Sequence, residues 1–235
     1  MAEIVKIDVD TYRIEDDFVR FFLLKGRDFS IMIDSGVNCP DAYDMAKKLV
    51  PNEIILLNTH GDGDHISGTG GFKEIWMHKN DYINCAIQQR FPHVKLKELS
   101  DGDVLDMGDR RLKVLFVPGH TKGSLAFLDV EKRILYAGDS VQNTMIYMFG
   151  ERRCPEVFEQ TLDKLINLKE EYDYIYSSHG DFCLEKDFVD KVKASWLKVL
   201  NDEIEYQECV IHGNKVKAYK MDYCGFYLAI WGKEF

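Results

Sequence analysis

Four short apolar runs in this chain end in the same way, and that repetition constrains the fold more than any other feature. EIILLNTH closes on His60, KVLFVPGH on His120, RILYAGD on Asp139 and DYIYSSH on His179. Each run has the length and the β-branched or aromatic content of a buried strand. Each is followed by a small or polar spacer and one residue able to ligate a metal. In sheet proteins, sites gather at strand ends, where loops converge while the strands stay rigid. Four such strands sharing one sheet edge would bring the four side chains together.

The loop after His60 enlarges the group. Residues 59–65 read THGDGDH, so Asp62, Asp64 and His65 join the other four. Singly, a His or Asp after a strand is a turn residue or a helix cap. Taken together, the seven resist that reading. Carboxylates crowded into one short loop repel each other, and nothing basic in the segment neutralises them. A divalent cation would do so, and imidazole nitrogen and carboxylate oxygen are ligands that zinc, iron and manganese accept. His78, His93 and His212 fall outside the pattern and read as ordinary surface or structural residues.

Around these runs the chain alternates as half-buried strands do: IVKIDVDTYRI, FVRFFLLKG and DFSIMIDSG in the first third, then EIWMH and the stretch 103–142, with SDGD and MGDRR as turns. Helical spacing appears from Cys39 to Val50, with Pro40 at its start. It returns from Asp81 to Arg90, from near Pro155 (Phe158, Leu162, Leu165 and Ile166 on one face) and from Lys186 to Leu200 (Phe188, Val192, Trp196 and Val199). Residues 207–235 return to strand-like, aromatic runs. Strands come in groups with helices between the groups, which favours an α+β mixed sheet with outer helices over a doubly wound parallel sheet. No linker is apparent, so residues 1–235 read as a single domain.

Composition narrows the partners. With 40 acidic and 30 basic side chains the net charge is −10, which suits neither nucleic acid nor an anionic membrane. A small-molecule substrate is expected instead. No signal peptide or long apolar run is apparent, so the expected compartment is the cytoplasm. There the six cysteines (Cys39, Cys85, Cys154, Cys183, Cys209 and Cys224) are read as free thiols.

At residues 4–180 the sequence resembles the metallo-beta-lactamase superfamily, whose signature is HxHxDH followed by a distant His, a distant Asp and a final His. The matches are His60, Asp64 and His65, then His120 in PGHTKGS, Asp139 in YAGDS and His179 in SSHGD, with IDSG at 33–36 resembling the early strand-to-turn motif. The resemblance implies a four-layer αββα sandwich of two mixed β-sheets with outer helices, and two divalent metal ions, zinc first, with iron or manganese as alternatives. One ion would be held by His60, Asp62 and His120, the other by Asp64, His65 and His179, with Asp139 and a water or hydroxide bridging them.

The chain departs from the signature at Asp62, where the second His is usual. An Asp oxygen lies as far from Cβ as the imidazole Nδ1, so Asp62 is expected still to bind metal. The added anion should lower the Lewis acidity of the site and favour harder ions. Lys122, where many members have Pro, reads first as a solvent-facing residue and second as a substrate contact.

The implied activity is metal-dependent hydrolysis, in which a metal-bridging hydroxide attacks a small-molecule ester, thioester or lactone and Asp64 orients it. The alternatives are a di-iron redox protein acting on oxygen or nitric oxide with a separate electron donor, and a non-catalytic metal-binding module. The aromatic tail at 207–235 has two readings of equal weight, a sheet edge with a homodimer contact and a substrate lid.

Overall fold

In the computed structural model, which describes residues 2–84 and 87–230, residues 3–98 build one seven-stranded sheet. Strands β1 (Glu3–Lys6), β2 (Thr11–Asp16), β3 (Val19–Leu24) and β4 (Ser30–Ile33) pair antiparallel in chain order. Strands β5 (Ile54–Leu57), β6 (Glu74–Met77) and β7 (Lys95–Glu98) extend it in parallel. The chain then makes β8 (Val104–Asp106), β9 (Arg111–Phe116), β10 (Leu125–Asp129) and β11 (Ile134–Gly138). It leaves for β12 (Met145–Met148) and returns for β13 (Tyr174–Ser177) and β14 (Cys183–Glu185). The second sheet has the order β14-β13-β11-β10-β9-β8.

Side-chain alternation fixes how the sheets stack. Phe22, Leu24, Ile31, Ile33 and Leu57 face the second sheet and meet Val114, Leu125, Phe127 and Tyr136 there. Their chain neighbours Phe21, Leu23, Met32 and Leu56 point the other way. Helices α1 (Ala42–Lys47), α2 (Lys79–Asn84) and α3 (Ile87–Arg90) lie on that first sheet, contributing Ala42, Ala46, Tyr82 and Ile87 to its outer core. The outward residues of the second sheet, Leu115, Ala126, Leu128, Leu135 and Ala137, pack against α4 (Phe158–Asn167) and α5 (Phe188–Leu200). Burial on both faces is why β4, β10 and β11 read as unbroken apolar runs rather than alternating ones. The result is the α+β, αββα arrangement.

The expected helical stripes are present: Phe158, Leu162 and Leu165 of α4, and Phe188, Val192, Trp196 and Val199 of α5, are all buried. The helix expected over 39–50 is shorter, because Asp41 occupies the N-cap and the chain leaves helix after Lys47. The helix expected to begin at Asp81 starts two residues earlier, with residues 85 and 86, and so Cys85, outside the described residues.

The tail forms a further sheet. Strands β15 (Gln207–Ile211), β16 (Asn214–Lys220) and β17 (Gly225–Ala229) are antiparallel neighbours, and β17 pairs parallel with β12. Ile146, Met148, Tyr219 and Phe226 seat this small sheet on the α4–α5 core. Residues 231–235 lie outside the described residues. Cys39, Cys154, Cys183, Cys209 and Cys224 are free thiols. Among the described residues no helix is long and apolar enough to cross a membrane.

Candidate metal centre

The pairing directions bring the expected ligands to one edge. Strands β4 and β5 are parallel, so both end where Asp34 and the loop to His60 begin. In the second sheet β11 and β13 are parallel, and β9 runs with them because two antiparallel steps through β10 restore its direction. Their ends carry Asp139, His179 and His120. Gly138 makes the last turn before Asp139 with a left-handed φ of 53°, and a Cβ there would lie 2.9 Å from the Thr59 side chain. Only glycine lets the two sheet ends approach this closely.

Four imidazoles are oriented by the same device. His65 Nδ1 lies 2.9 Å from Asp34 Oδ2, His120 Nδ1 3.0 Å from the Tyr147 carbonyl, and His179 Nδ1 2.9 Å from the Phe18 carbonyl. Each oxygen can only accept, so each Nδ1 carries the proton. His60 Nδ1 is 3.0 Å from Thr59 Oγ1, whose own proton goes to Asp34 Oδ2 at 2.8 Å. Thr59 therefore accepts from His60. In all four rings Nε2 is left as the ligating atom, the arrangement in which second partners set a metal-binding tautomer.

These Nε2 atoms converge. Ligand atoms of His60, His120 and Asp139 lie within 4.8 Å of one another, and so do those of Asp64, His65 and His179. Asp139 reaches both groups, 3.6 Å from His120, 3.3 Å from His179 and, through its other oxygen, 3.3 Å from His65. His60 and His120 bring their Nε2 atoms to 3.2 Å of each other. The buried His65 Nε2 and Asp139 Oδ1 have no hydrogen-bond partner. Buried polar atoms are rarely left so, and a cation shared among them removes the conflict. The donor set fits divalent metal.

The electrostatics agree. Burial, helped by His65, holds His60 well below its ordinary value, in the neutral form that metal binding needs. Burial pushes His179 down, but Asp139 and Asp64 more than reverse this and raise it to about 10. His65 rises for the same reason, against its burial, beside Asp64, Asp139 and Asp34. Burial would raise Asp139, yet His179 and His65 hold it well below the usual carboxylate range. Protons on His65 and His179 thus occupy the positions that metal would take.

A sequence profile described as the metallo-beta-lactamase superfamily matches residues 14–179. The chain belongs to the metallo-beta-lactamase superfamily. It is 30% identical over 122 residues to a hydroxyacylglutathione hydrolase of Francisella tularensis, covering 52% of this chain and 47% of that one. It is 26% identical over 156 residues to the acyl-coenzyme A thioesterase MBLAC2 of Gallus gallus, covering 51% and 56%. The chain thus spans about half the length of the curated relatives it matches. In fold it is similar to a metallo-beta-lactamase from Pontibacter korlensis, with a TM-score of 0.69 at 14% identity over 84% of this chain and 99% of that one.

The surroundings of Asp62 are not those expected from the loop alone. Asp62 Oδ2 lies 3.4 Å from His120 Nε2 and 3.7 Å from His60 Nε2, beside the first ligand group. Both its oxygens are also held by arginines. Arg153 spans Oδ1 at 3.1 Å and Oδ2 at 2.5 Å, and Arg152 meets Oδ1 at 3.0 Å. The added anion is therefore balanced by cations 90 and 91 positions further along the chain, which corrects the expectation of an unneutralised carboxylate. Burial would raise Asp62, but His120 and Arg153 beside it keep it ionised, well below the usual range.

Sequence reasoning also missed Asp81. This buried carboxylate on α2 accepts from Gly61 N at 2.8 Å, Gly123 N at 2.9 Å and Thr121 Oγ1 at 2.8 Å, tying the His60 loop to the His120 loop. The metal centre opens into a cleft of about 1060 Å³, whose walls include Tyr147, Phe149, Tyr227 and Arg90. His212, an exposed residue, also lines this cleft. Tyr147 packs against Phe149, Tyr227 and His212 at ring distances of 5.0–6.1 Å. His78, by contrast, stacks on Phe116, and His93 bonds the Gly70 carbonyl. Lys122 is exposed and contributes no wall of the cleft.

Proposed function

We propose that this member of the superfamily is a binuclear metal-dependent hydrolase of a small-molecule ester, thioester or lactone. The observation that carries the reading is the convergence of four oriented Nε2 atoms with the carboxylates of Asp64 and Asp139 at the floor of an open cleft. His60, His120, Asp62 and Asp139 would hold one ion, and Asp64, His65, His179 and Asp139 the other, with zinc the first candidate. Divalent metal there supplies Lewis acidity towards a substrate oxygen and makes water nucleophilic at neutral pH.

The chain's own groups do the rest. Burial would raise the Asp64 carboxyl, but His65 and His179 beside it keep it ionised. It is partly exposed to the cleft, where it orients water and takes a proton in transit. The second partners Asp34, Thr59 and the Tyr147 and Phe18 carbonyls hold the imidazoles in register, so little reorganisation is needed when charge develops. Thioesters come first because one relative is named an acyl-coenzyme A thioesterase. The acidic balance of the chain supports a small-molecule substrate over nucleic acid or membrane, and a cytoplasmic protein remains our reading.

The di-iron alternative draws on the carboxylate at position 62, but two guanidinium groups balance that charge, so the argument for harder ions weakens. The test is a panel of esters, thioesters and lactones offered to metal-stripped and zinc- or manganese-loaded protein. Hydrolysis that appears on loading and disappears in His120→Ala supports the proposal. An iron-loaded protein that consumes oxygen and leaves the whole panel intact would replace it with the redox reading.

A further inference from the structure

The loop carrying Arg152 and Arg153 follows β12 and has no part in the expected ligand set, yet it is built onto the metal centre. Lys122 N donates to the Arg152 carbonyl at 2.9 Å and Cys154 N to the Gly119 carbonyl at 3.0 Å, on the two sides of His120. The Cys154 thiol contacts the Thr121 carbonyl as well. The backbone that carries the two arginines is thus tied to the His120 loop. Arg152 Nη1 also bonds the Gly61 carbonyl at 3.1 Å, anchoring the residue that precedes Asp62.

We propose that Arg152 and Arg153 are positioning residues of the metal centre: they hold Asp62 with Oδ2 turned towards His60 and His120, and they cancel the charge it brings. The inference rests on the metal-binding reading above. Its geometric basis is the division of labour between the two oxygens. Oδ1 accepts from Arg153 and is ion-paired with Arg152 at 3.0 Å, so both arginines stand against it. Oδ2 accepts from Arg153 alone and keeps a lone pair on the side of His60 and His120. A fork-shaped contact of this kind fixes the plane of the carboxylate, which a single lysine ammonium does not do. Arg153 is largely buried and its Nε has no partner, so its place is set by Asp62 rather than by solvent.

The three residues then act as one charge-balanced unit, and the unit is coupled. Replacing Asp62 with a neutral residue strands two cations against the metal site, where they repel the incoming ion. The same replacement without the arginines strands nothing. A thermodynamic cycle reads this directly. Asp62→Asn, Arg152→Met/Arg153→Met and the triple variant are compared with wild type in two measurements. One is zinc affinity by chelator competition. The other is the thermal midpoint of the metal-stripped protein.

In the wild-type background Asp62→Asn is expected to weaken zinc binding at least about tenfold, no less than the loss of an outer partner of a ligand, and to lower the midpoint. In the arginine-free background both losses should shrink markedly. If the Met pair does not fold, as judged by circular dichroism, Arg153→Gln gives a milder version of the same cycle. Equal losses in both backgrounds, with wild type still holding zinc, overturn this inference and leave the metal centre intact. Wild type that binds no zinc overturns both.

Discussion

Asp34 holds no place in the expected ligand set, yet two imidazoles owe their tautomer to it, His65 directly and His60 through Thr59. It keeps that role at a left-handed φ of 62°, a conformation in which Asp is one of the few tolerated side chains. Asp34→Ala should therefore weaken zinc binding about 10- to 100-fold while leaving the ligands in place, as chelator competition would show; an unchanged affinity would exclude the orienting role. Protons and metal compete for His179, which in the metal-free protein titrates at about 10. Zinc affinity should consequently climb as pH rises from neutrality, and calorimetry in buffers of different ionisation enthalpy should show proton release on binding. The sign for folding is the reverse. In metal-free protein the contribution of that protonated ring is complete below its ordinary value of 6.5 and is lost as pH rises through about 10. At this scale the ligands are legible in the sequence, because each closes an apolar run. Asp34 is legible only as part of IDSG. Arg152 and Arg153 are not, because their partner is some 90 positions away and FGERRCP carries no pattern that points to it.

The elements are legible where both faces or one whole stripe are buried. β4, β10 and β11 announce themselves as apolar runs, and α4 and α5 as stripes. Helix ends are not, since α1 is bounded by Asp41 and a loop rather than by its apolar spacing. The destination of the tail is not legible either. Its alternation is that of any half-buried strand, and only the parallel pairing with β12 places it in a separate sheet whose β15–β16 turn brings His212 to the cleft. Helix α2 shows how one element serves the site without touching the ligand set. Through Asp81 it holds two loops at once, and Asp81→Ala would leave Gly61 N, Gly123 N and Thr121 Oγ1 without that acceptor. Losing a buried partner costs about 1–3 kcal/mol for each group left unsatisfied. Denaturant unfolding should show destabilisation of that order, accompanied by weaker zinc binding; a stable variant with normal zinc affinity would mean that the two loops do not depend on α2.

Across the whole molecule, the two large sheets are pinned on the side of β2 and β10 by Arg110. It bonds Asp129 at 2.6 Å through Nε, the Asp10 carbonyl at 3.0 Å and Thr11 Oγ1 at 3.1 Å, and both charged partners are buried. Asp129→Ala would leave a buried guanidinium with only the more distant, partly exposed Asp10 carboxylate at 3.8 Å as counter-charge. We expect a loss of about 3–5 kcal/mol on unfolding, against little change for exposed pairs such as Arg27–Asp28. The proposed metal centre lies where both sheets end, so its proposed ligands come from each: His60, Asp62, Asp64 and His65 from the loop beyond β5 in the first, His120, Asp139 and His179 from the second. Metal held there would fasten the sheets to each other, and stripping it should loosen that edge more than the Arg110 contact.

The most direct test of this account is the metal content of protein purified without added metal, measured by elemental analysis for wild type and for Asp139→Ala. Asp139 touches both ligand groups, so the account predicts about two divalent ions per chain in wild type and a loss from both sites in the variant. A single ion, or none, in wild type would contradict it, as would full occupancy in the variant.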